Sequence, residues 1–302
     1  CICNLLTKPN RWTVLQETVL FEGKQALLEN ATLACLIGGM DSIVNTNIKM
    51  AIDMAMLCDY TYAEGAPLPD GWTDITSYDE FPEGLREKKL WEDERSNFFA
   101  QLFQGPDGSY AVIFRGTQPP KIADWKNNVQ QAFGLESEQY KKAYELAKSI
   151  KKHLPVDKTT VAGHSLGGGK AALAGAETGF STYTYNAAGL HERTLERNEL
   201  SMDNTHHVQA FGSDDDPLSI LQDNRDLIGA AMFRYAGVFG RLTARSIYVD
   251  HALPQAAGQR IGLDTDVGRL DPLKGHSIPP LIEVLKAEDK QSPNIRVITR
   301  DK

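Results

Sequence analysis

Thr159-Thr160-Val161-Ala162-Gly163-His164-Ser165-Leu166-Gly167-Gly168-Gly169-Lys170-Ala171-Ala172-Leu173-Ala174-Gly175-Ala176 is the stretch whose reading decides the fold. Its first four residues form a short apolar, β-branched run that reads as a buried strand. Gly-x-Ser-x-Gly follows, and the small residues from Lys170 to Ala176 read as a helix. A strand that turns into a helix within so few residues leaves no room for a Cβ on either side of the serine, which explains the flanking glycines. The turn lifts the Ser165 hydroxyl above the carboxyl end of the sheet, beside the free N–H groups of a helix start. Such a position suits a nucleophile and an oxyanion site. A glycine-rich helix start without chemistry is the plainer reading of the same residues. The strand before and the helix after favour the nucleophile.

The chain around this turn has 302 residues, 41% hydrophobic and 24% charged, which suits one large α/β domain or two smaller ones. A net charge of −8 argues against nucleic acid as a partner and offers no general attraction to an anionic membrane. No run approaches the roughly 18 apolar residues of a spanning helix, and no signal peptide is evident. Because it starts at Cys1, the chain is expected to be cut from a longer polypeptide, a mature lipoprotein being the other reading.

Upstream of the serine, Phe98–Phe103 and Tyr110–Phe114 flank the turn Gly105-Pro106-Asp107-Gly108 as a hairpin. The second strand empties into Arg115-Gly116-Thr117. In an α/β-hydrolase arrangement a loop after an early strand supplies the second oxyanion donor. Thr117 would give its N–H there, with Leu166 N–H as the first donor. Asp124 begins the next helix and can fix this loop or serve only as a helix N-terminal carboxylate. Residues 137–154 read as an amphipathic helix with Ser137 as N-cap and the face Tyr140, Ala143, Tyr144, Ala147, Ile150 and Leu154. Downstream, Phe180–Tyr185, Val208–Phe211 and Arg260–Leu263 read as further strands. Strands alternating with helices predict an α/β-hydrolase-like, mostly parallel, doubly wound sheet with flanking helices.

A triad acid belongs at a strand end after the serine, and the triad order in this fold is Ser, Asp, His. Gly212-Ser213-Asp214-Asp215-Asp216-Pro217 offers three aspartates, of which Asp216 is preferred. Ca²⁺ binding by this turn is the weaker reading, for want of a Gly-spaced acidic loop. His276 precedes the last apolar helix from a loop and is the preferred base, with His251 as runner-up. His164, in the variable elbow position, is expected to pack beside the serine. Residues 227–240 are apolar, rich in small residues and placed between acid and base. They read equally well as a lid, an interfacial helix or an ordinary buried one.

Before all this, residues 1–45 show short strands and no helix, a small N-terminal β segment, and residues 46–302 form the second unit. Asn45–Tyr62 switches to a helical period, in which Met50, Met54 and Met56 read as core filler. Residues 64–84 read as a long surface loop. The four cysteines form no CxxC pair, and no metal or organic cofactor is called for. Cys58 reads as a core thiol. A disulfide or soft-metal site among Cys1, Cys3 and Cys35 is a weak alternative.

Phe114-Arg115-Gly116-Thr117, Asp124-Trp125, Gly163 through Gly168, Asp216-Pro217-Leu218 and Gly275-His276-Ser277, in that order, resemble the class 3 (fungal-type) lipases. Phe133-Gly134 with Gln139-Tyr140, and Tyr185-Asn186-Ala187-Ala188-Gly189-Leu190, are similar to bacterial lipase-like toxin domains of that superfamily. The resemblance covers about residues 48–290. It implies Ser165 as nucleophile, His276 as base, Asp216 as its orienter, and Thr117 with Leu166 as oxyanion hole. The family's Leu-Pro-Pro after the aspartate is replaced here by Ser219-Ile220-Leu221, which weakens inference about acyl-chain contacts. Cys3, Pro9, Trp12, Gly23, Ala26-Leu27, Thr32, Cys35, Gly38-Gly39 and Ile43-Val44 resemble the tail of the PAAR-like module on type VI secretion spikes.

Together these imply a phospholipid substrate at a membrane surface, a spike protein and an immunity protein as partners. They also imply a chain that is cytoplasmic in its producer, then secreted and delivered to the membrane surface or periplasm of a target cell. A soluble carboxylesterase or thioesterase, a serine peptidase and a non-catalytic spike adaptor are the competing readings.

Overall fold

The computed structural model describes residues 12–13, 20–21, 24–25, 32–35, 39–45, 47–62, 66–75, 77–116, 138–213, 216, 257–265, 272–291 and 296–300. Five short strands come first: β1 (Trp12–Thr13), β2 (Leu20–Phe21), β3 (Lys24–Gln25), β4 (Thr32–Cys35) and β5 (Gly39–Asn45). Helix α1 (Ile48–Tyr60) then lies inside the 45–62 segment of helical period, its start fixed where the Asn47 side chain accepts the Met50 N–H at 3.0 Å and caps it. Strand β6 (Thr73–Asp74) lies inside the stretch expected to be all loop, and α2 (Lys88–Trp91) leads into β7 (Glu92–Asp93). The hairpin β8 (Phe98–Gln104) and β9 (Tyr110–Phe114) follows as expected, then α3 (Glu138–His153), β10 (Thr159–His164), α4 (Leu166–Thr178) and β11 (Ser181–Tyr185). The remainder is α5 (Glu192–Glu196), β12 (Val208–Ser213), β13 (Gln259–Leu263), α6 (Pro272–His276), α7 (Ile278–Gln291) and β14 (Arg296–Arg300).

The central sheet has the order β13-β12-β11-β10-β9-β8-β6, with β7 also on β8. Strands β9 to β13 are parallel, and β8 runs antiparallel to β9. The class is therefore α/β with a mostly parallel sheet. The doubly wound expectation needs one correction. The order runs in a single direction from β9 to β13, with no reversal among the described strands. Register aligns the carboxyl ends: Phe114 with Gly163, His164 with Tyr185, Tyr185 with Phe211 and Ser213 with Leu263. The residues that follow these ends are brought to one rim, where open α/β sheets hold their ligands.

Side chains alternate across the sheet and split the core in two. Ala111, Ile113, Ala162, Tyr185 and Phe211 face α1 and α7, where they meet Met54, Leu57, Cys58, Leu281 and Leu285. Met50 and Met56 pack at the edge of that cluster. Val112, Phe114 and Val161 face the other way, onto Ala143, Leu146 and Ile150 of α3 and Ala171 and Ala174 of α4. Helix α4 is buried on nearly every side, which is why its residues are small. The Tyr185 hydroxyl donates to the Ala51 carbonyl at 2.5 Å and ties β11 to α1.

A second, antiparallel sheet has the order β1-β4-β5-β14, with β2 and β3 as a separate hairpin pair. Its last strand comes from the far end of the chain, Val297 pairing with Val44 and Thr299 with Ser42. The sequence reading assigned no strand to residues 296–300.

Leu281, completely buried where α7 meets α1, stands five residues after His276. Leu281→Ala should cost about 2–5 kcal/mol through lost contacts and a cavity. The measurement is the urea unfolding midpoint, and a shift equivalent to less than about 1 kcal/mol would mean that this face is not close-packed.

Candidate active site

The turn between β10 and α4 is as tight as its glycines suggest. Ser165 has φ 56° and ψ −127°, a left-handed conformation that costs a non-glycine residue about 1–3 kcal/mol. A Cβ on Gly163 would run into the Gly167 carbonyl, and one on Gly167 into the Phe114 carbonyl of the neighbouring strand. The strained serine is fixed by its main chain. Its N–H donates to Tyr185 O at 3.0 Å, and its carbonyl accepts the N–H groups of Gly168 at 3.0 Å and Ala188 at 2.9 Å. The hydroxyl makes no cap bond to the helix and stays free for chemistry. Leu166 is the first residue of α4, so its N–H has no carbonyl four residues back within the helix.

Two strand ends and a short helix bring three side chains together at this point. The Ser165 hydroxyl lies 2.9 Å from His276 Nε2, and His276 Nδ1 lies 2.7 Å from Asp216 Oδ1. With the Nδ1 proton donated to the carboxylate, Nε2 is left unprotonated to accept the serine O–H. Asp216 is completely buried just beyond β12, in a turn closed by its own N–H to the Ser213 carbonyl at 3.1 Å. A buried carboxylate needs such a partner. His276 is the last residue of α6, where the sequence reading expected a loop.

Backbone hydrogen bonds hold this histidine in place, and one residue behind them was missed from sequence. Asn186, fully buried at the end of β11, donates its amide to the carbonyls of Gly275 at 3.0 Å and His276 at 3.1 Å. Its Oδ1 accepts the Ser213 N–H at 2.8 Å, so one side chain ties β12 to α6. Asn186 has φ 41°, a left-handed conformation that asparagine tolerates better than most residues. An asparagine directly at a strand end was the available signal.

His164 packs beside the serine, its ring 4.9 Å from that of His276. Its Nε2–H donates to the His276 carbonyl at 2.7 Å, and its Nδ1 faces the Tyr62 hydroxyl at 3.3 Å. Burial lowers the His164 pKa to about 3, with the charge of His276 adding to the effect, so the ring is neutral.

Thr117, Asp124, Asp214, Asp215, His251 and residues 227–240 lie outside the described residues, as do Cys1 and Cys3. Among the described residues there is no group of side chains able to hold a metal ion, and no helix is long and apolar enough to cross a membrane. Cys58 is a buried free thiol, and burial raises its pKa well above the ordinary value.

The neutral His164 gives a pH prediction. An unfolded imidazole protonates near pH 6.5, while the folded one resists until about 3. Below about pH 6.5 only the unfolded chain takes up this proton. Stability present above that pH is therefore lost as the pH falls, by up to about 1.4 kcal/mol per unit. Wild type should accordingly lose more stability between pH 7 and pH 5 than His164→Gln, measured by urea unfolding. Equal losses would mean that the ring is not held neutral.

Residues 53–267 match a family model described as a Tle-like phospholipase domain. A segment of 105 residues is 43% identical to extracellular phospholipase A1 of Serratia liquefaciens, covering 35% of this chain and 32% of that protein. The chain thus matches about a third of that relative's length. The family model takes in well over half of the chain, including Ser165 and Asp216, and the chain belongs to the Tle-like phospholipase family.

Proposed function

We propose that this chain is a serine hydrolase of glycerophospholipid esters, of phospholipase A type, working through an acyl-enzyme. The observation that carries the reading is His276 bridging a buried Asp216 and the Ser165 hydroxyl, at 2.7 Å and 2.9 Å. Ser165 Oγ attacks the ester carbonyl while His276 Nε2 takes its proton, and Asp216 stabilises the resulting imidazolium. The oxyanion develops at the α4 N-terminus, with the N–H of Leu166 as one donor and that of Thr117 as the second. Collapse expels the lysophospholipid alkoxide, which takes the proton from His276. Water, activated by the same nitrogen, then releases the fatty acid. Family membership and the name of the Serratia liquefaciens relative support a phospholipid substrate. A carboxylesterase or thioesterase acting on soluble esters is the second reading, because the same three side chains would serve it.

The resemblances in sequence extend the proposal. The catalytic unit is of class 3 lipase type, and residues 1–45 are the tail of a PAAR-like module that joins the enzyme to a type VI secretion spike. The chain is then an antibacterial effector, delivered to a target cell's membrane and neutralised in its producer by an immunity protein. Lysophospholipid should appear in target cells only when the producer's spike is intact. Its appearance with a spike-deficient producer would overturn the delivery reading.

On phosphatidylethanolamine or phosphatidylglycerol vesicles, Ser165→Ala should reduce fatty-acid release by about 10³-fold or more, with the fold kept. His276→Ala should fall to the same level, and the double mutant no further, because the two act as a unit. More than a tenth of wild-type activity in Ser165→Ala would overturn the mechanism. Equal activity on monomeric and vesicular esters would favour the soluble esterase.

A further inference from the structure

Lys170, four residues after Leu166 on α4, has no part in the chemistry above, yet its side chain is completely buried. Its ammonium donates to the Arg115 carbonyl at 2.7 Å and to Gln139 Oε1 of α3 at 2.8 Å, and it lies 5.2 Å from the centre of the Phe98 ring. Burying an amine is costly, and an apolar side chain would fill the same space more cheaply. The cost shows in the lysine itself, whose pKa burial lowers to about 7, with the Arg115 charge as a smaller cause.

The carbonyl that Lys170 holds belongs to the peptide unit between Arg115 and Gly116. The N–H of that same unit donates to the Tyr62 hydroxyl at 2.8 Å. One peptide plane is therefore gripped at both ends, by Lys170 on its oxygen and Tyr62 on its nitrogen. It is also wedged sterically. A Cβ on Gly167 would lie 2.9 Å from both Arg115 C and Gly116 N, and one on Gly116 would lie 2.8 Å from the His164 carbonyl. The Arg115 N–H is paired with Phe99 O at 3.1 Å, and its guanidinium stacks 4.1 Å over the Phe99 ring. An isolated peptide unit at a strand end can rotate at little cost. Here rotation would strand a buried amine and break both anchors.

We propose that Lys170 and Tyr62 are positioning residues that clamp the 115–116 peptide plane against Gly167 and so hold the start of α4, where the oxyanion develops, in place. The inference rests on the ester-hydrolase reading above. Because an amine and an ammonium both donate N–H, the clamp works in either charge state. Tyr62 also reaches the His164 ring at 3.3 Å, which links the clamp to the residue that holds His276.

The test measures kcat and KM on a monomeric short-chain ester for Lys170→Met, Tyr62→Phe and the double mutant of the full chain, with Ser165→Ala alongside. Each single variant should lose about 10- to 100-fold in kcat, less than the loss of a whole oxyanion donor, with KM within about twofold and the fold intact by near-UV circular dichroism. The double mutant should fall no further than the worse single, since both grips act on one plane. Singles that lose stability but keep kcat, or losses that multiply in the double mutant, would overturn the clamp while a dead Ser165→Ala leaves the hydrolase reading standing. An active Ser165→Ala would overturn both. If Lys170→Met does not fold, Tyr62→Phe decides alone: an unchanged kcat sinks the clamp.

Discussion

The structure depends on a near-collision of main chains. Between β10 and α4 the backbone reverses from strand to helix at one residue, and it does so against the end of β9. Gly163 and Gly167 are required because any Cβ would meet a carbonyl, from Gly167 in one case and Phe114 in the other. That close approach forces Ser165 to φ 56° and aims its hydroxyl at the rim of the sheet. The strain is carried by the packing of α4, whose small residues let it lie close to α3 and β11. The main-chain hydrogen bonds of Ser165 with Tyr185 and Ala188 add to this hold.

The second constraint is electrostatic. Asp216, His164 and Asn186 are all buried, and each is committed to hydrogen bonds around His276. The carboxylate holds the ring, while His164 and Asn186 hold the carbonyl of the same residue. Burial makes such bonds strong and makes an unpaired group expensive, so the cluster is stable only when complete. A neutral His164 suits this arrangement, since a second cation beside His276 would oppose the imidazolium that the proposed proton transfer would form.

The two ends of the chain meet in the antiparallel sheet, where β14 pairs with β5. Among the described residues, a strand taken from 296–300 completes a sheet otherwise built from the first 45. The family match leaves both ends outside and begins within α1. It ends beyond β13, before His276, so the family model reaches two of the three clustered side chains.

From the sequence alone the class of fold was legible. Gly-x-Ser-x-Gly between an apolar run and a small-residue helix specifies a strand–turn–helix by sterics that are local, and the 98–114 hairpin follows from its turn residues and alternation. Ser165, Asp216 and His276, which the structure brings within hydrogen-bond distance of one another, could be picked out as candidates too, because each sits at a strand or helix boundary. Tertiary structure alone decided what spans the chain. Asn186 and Tyr62 act through bonds to residues about 90 and 102 positions away, and no periodicity reports such a contact. The short helix carrying His276, the single-direction strand order and the pairing of β14 are likewise set by packing between distant segments. Local propensity acts over a few neighbours, whereas a buried polar group is satisfied by whichever partner the fold brings within 3 Å or so.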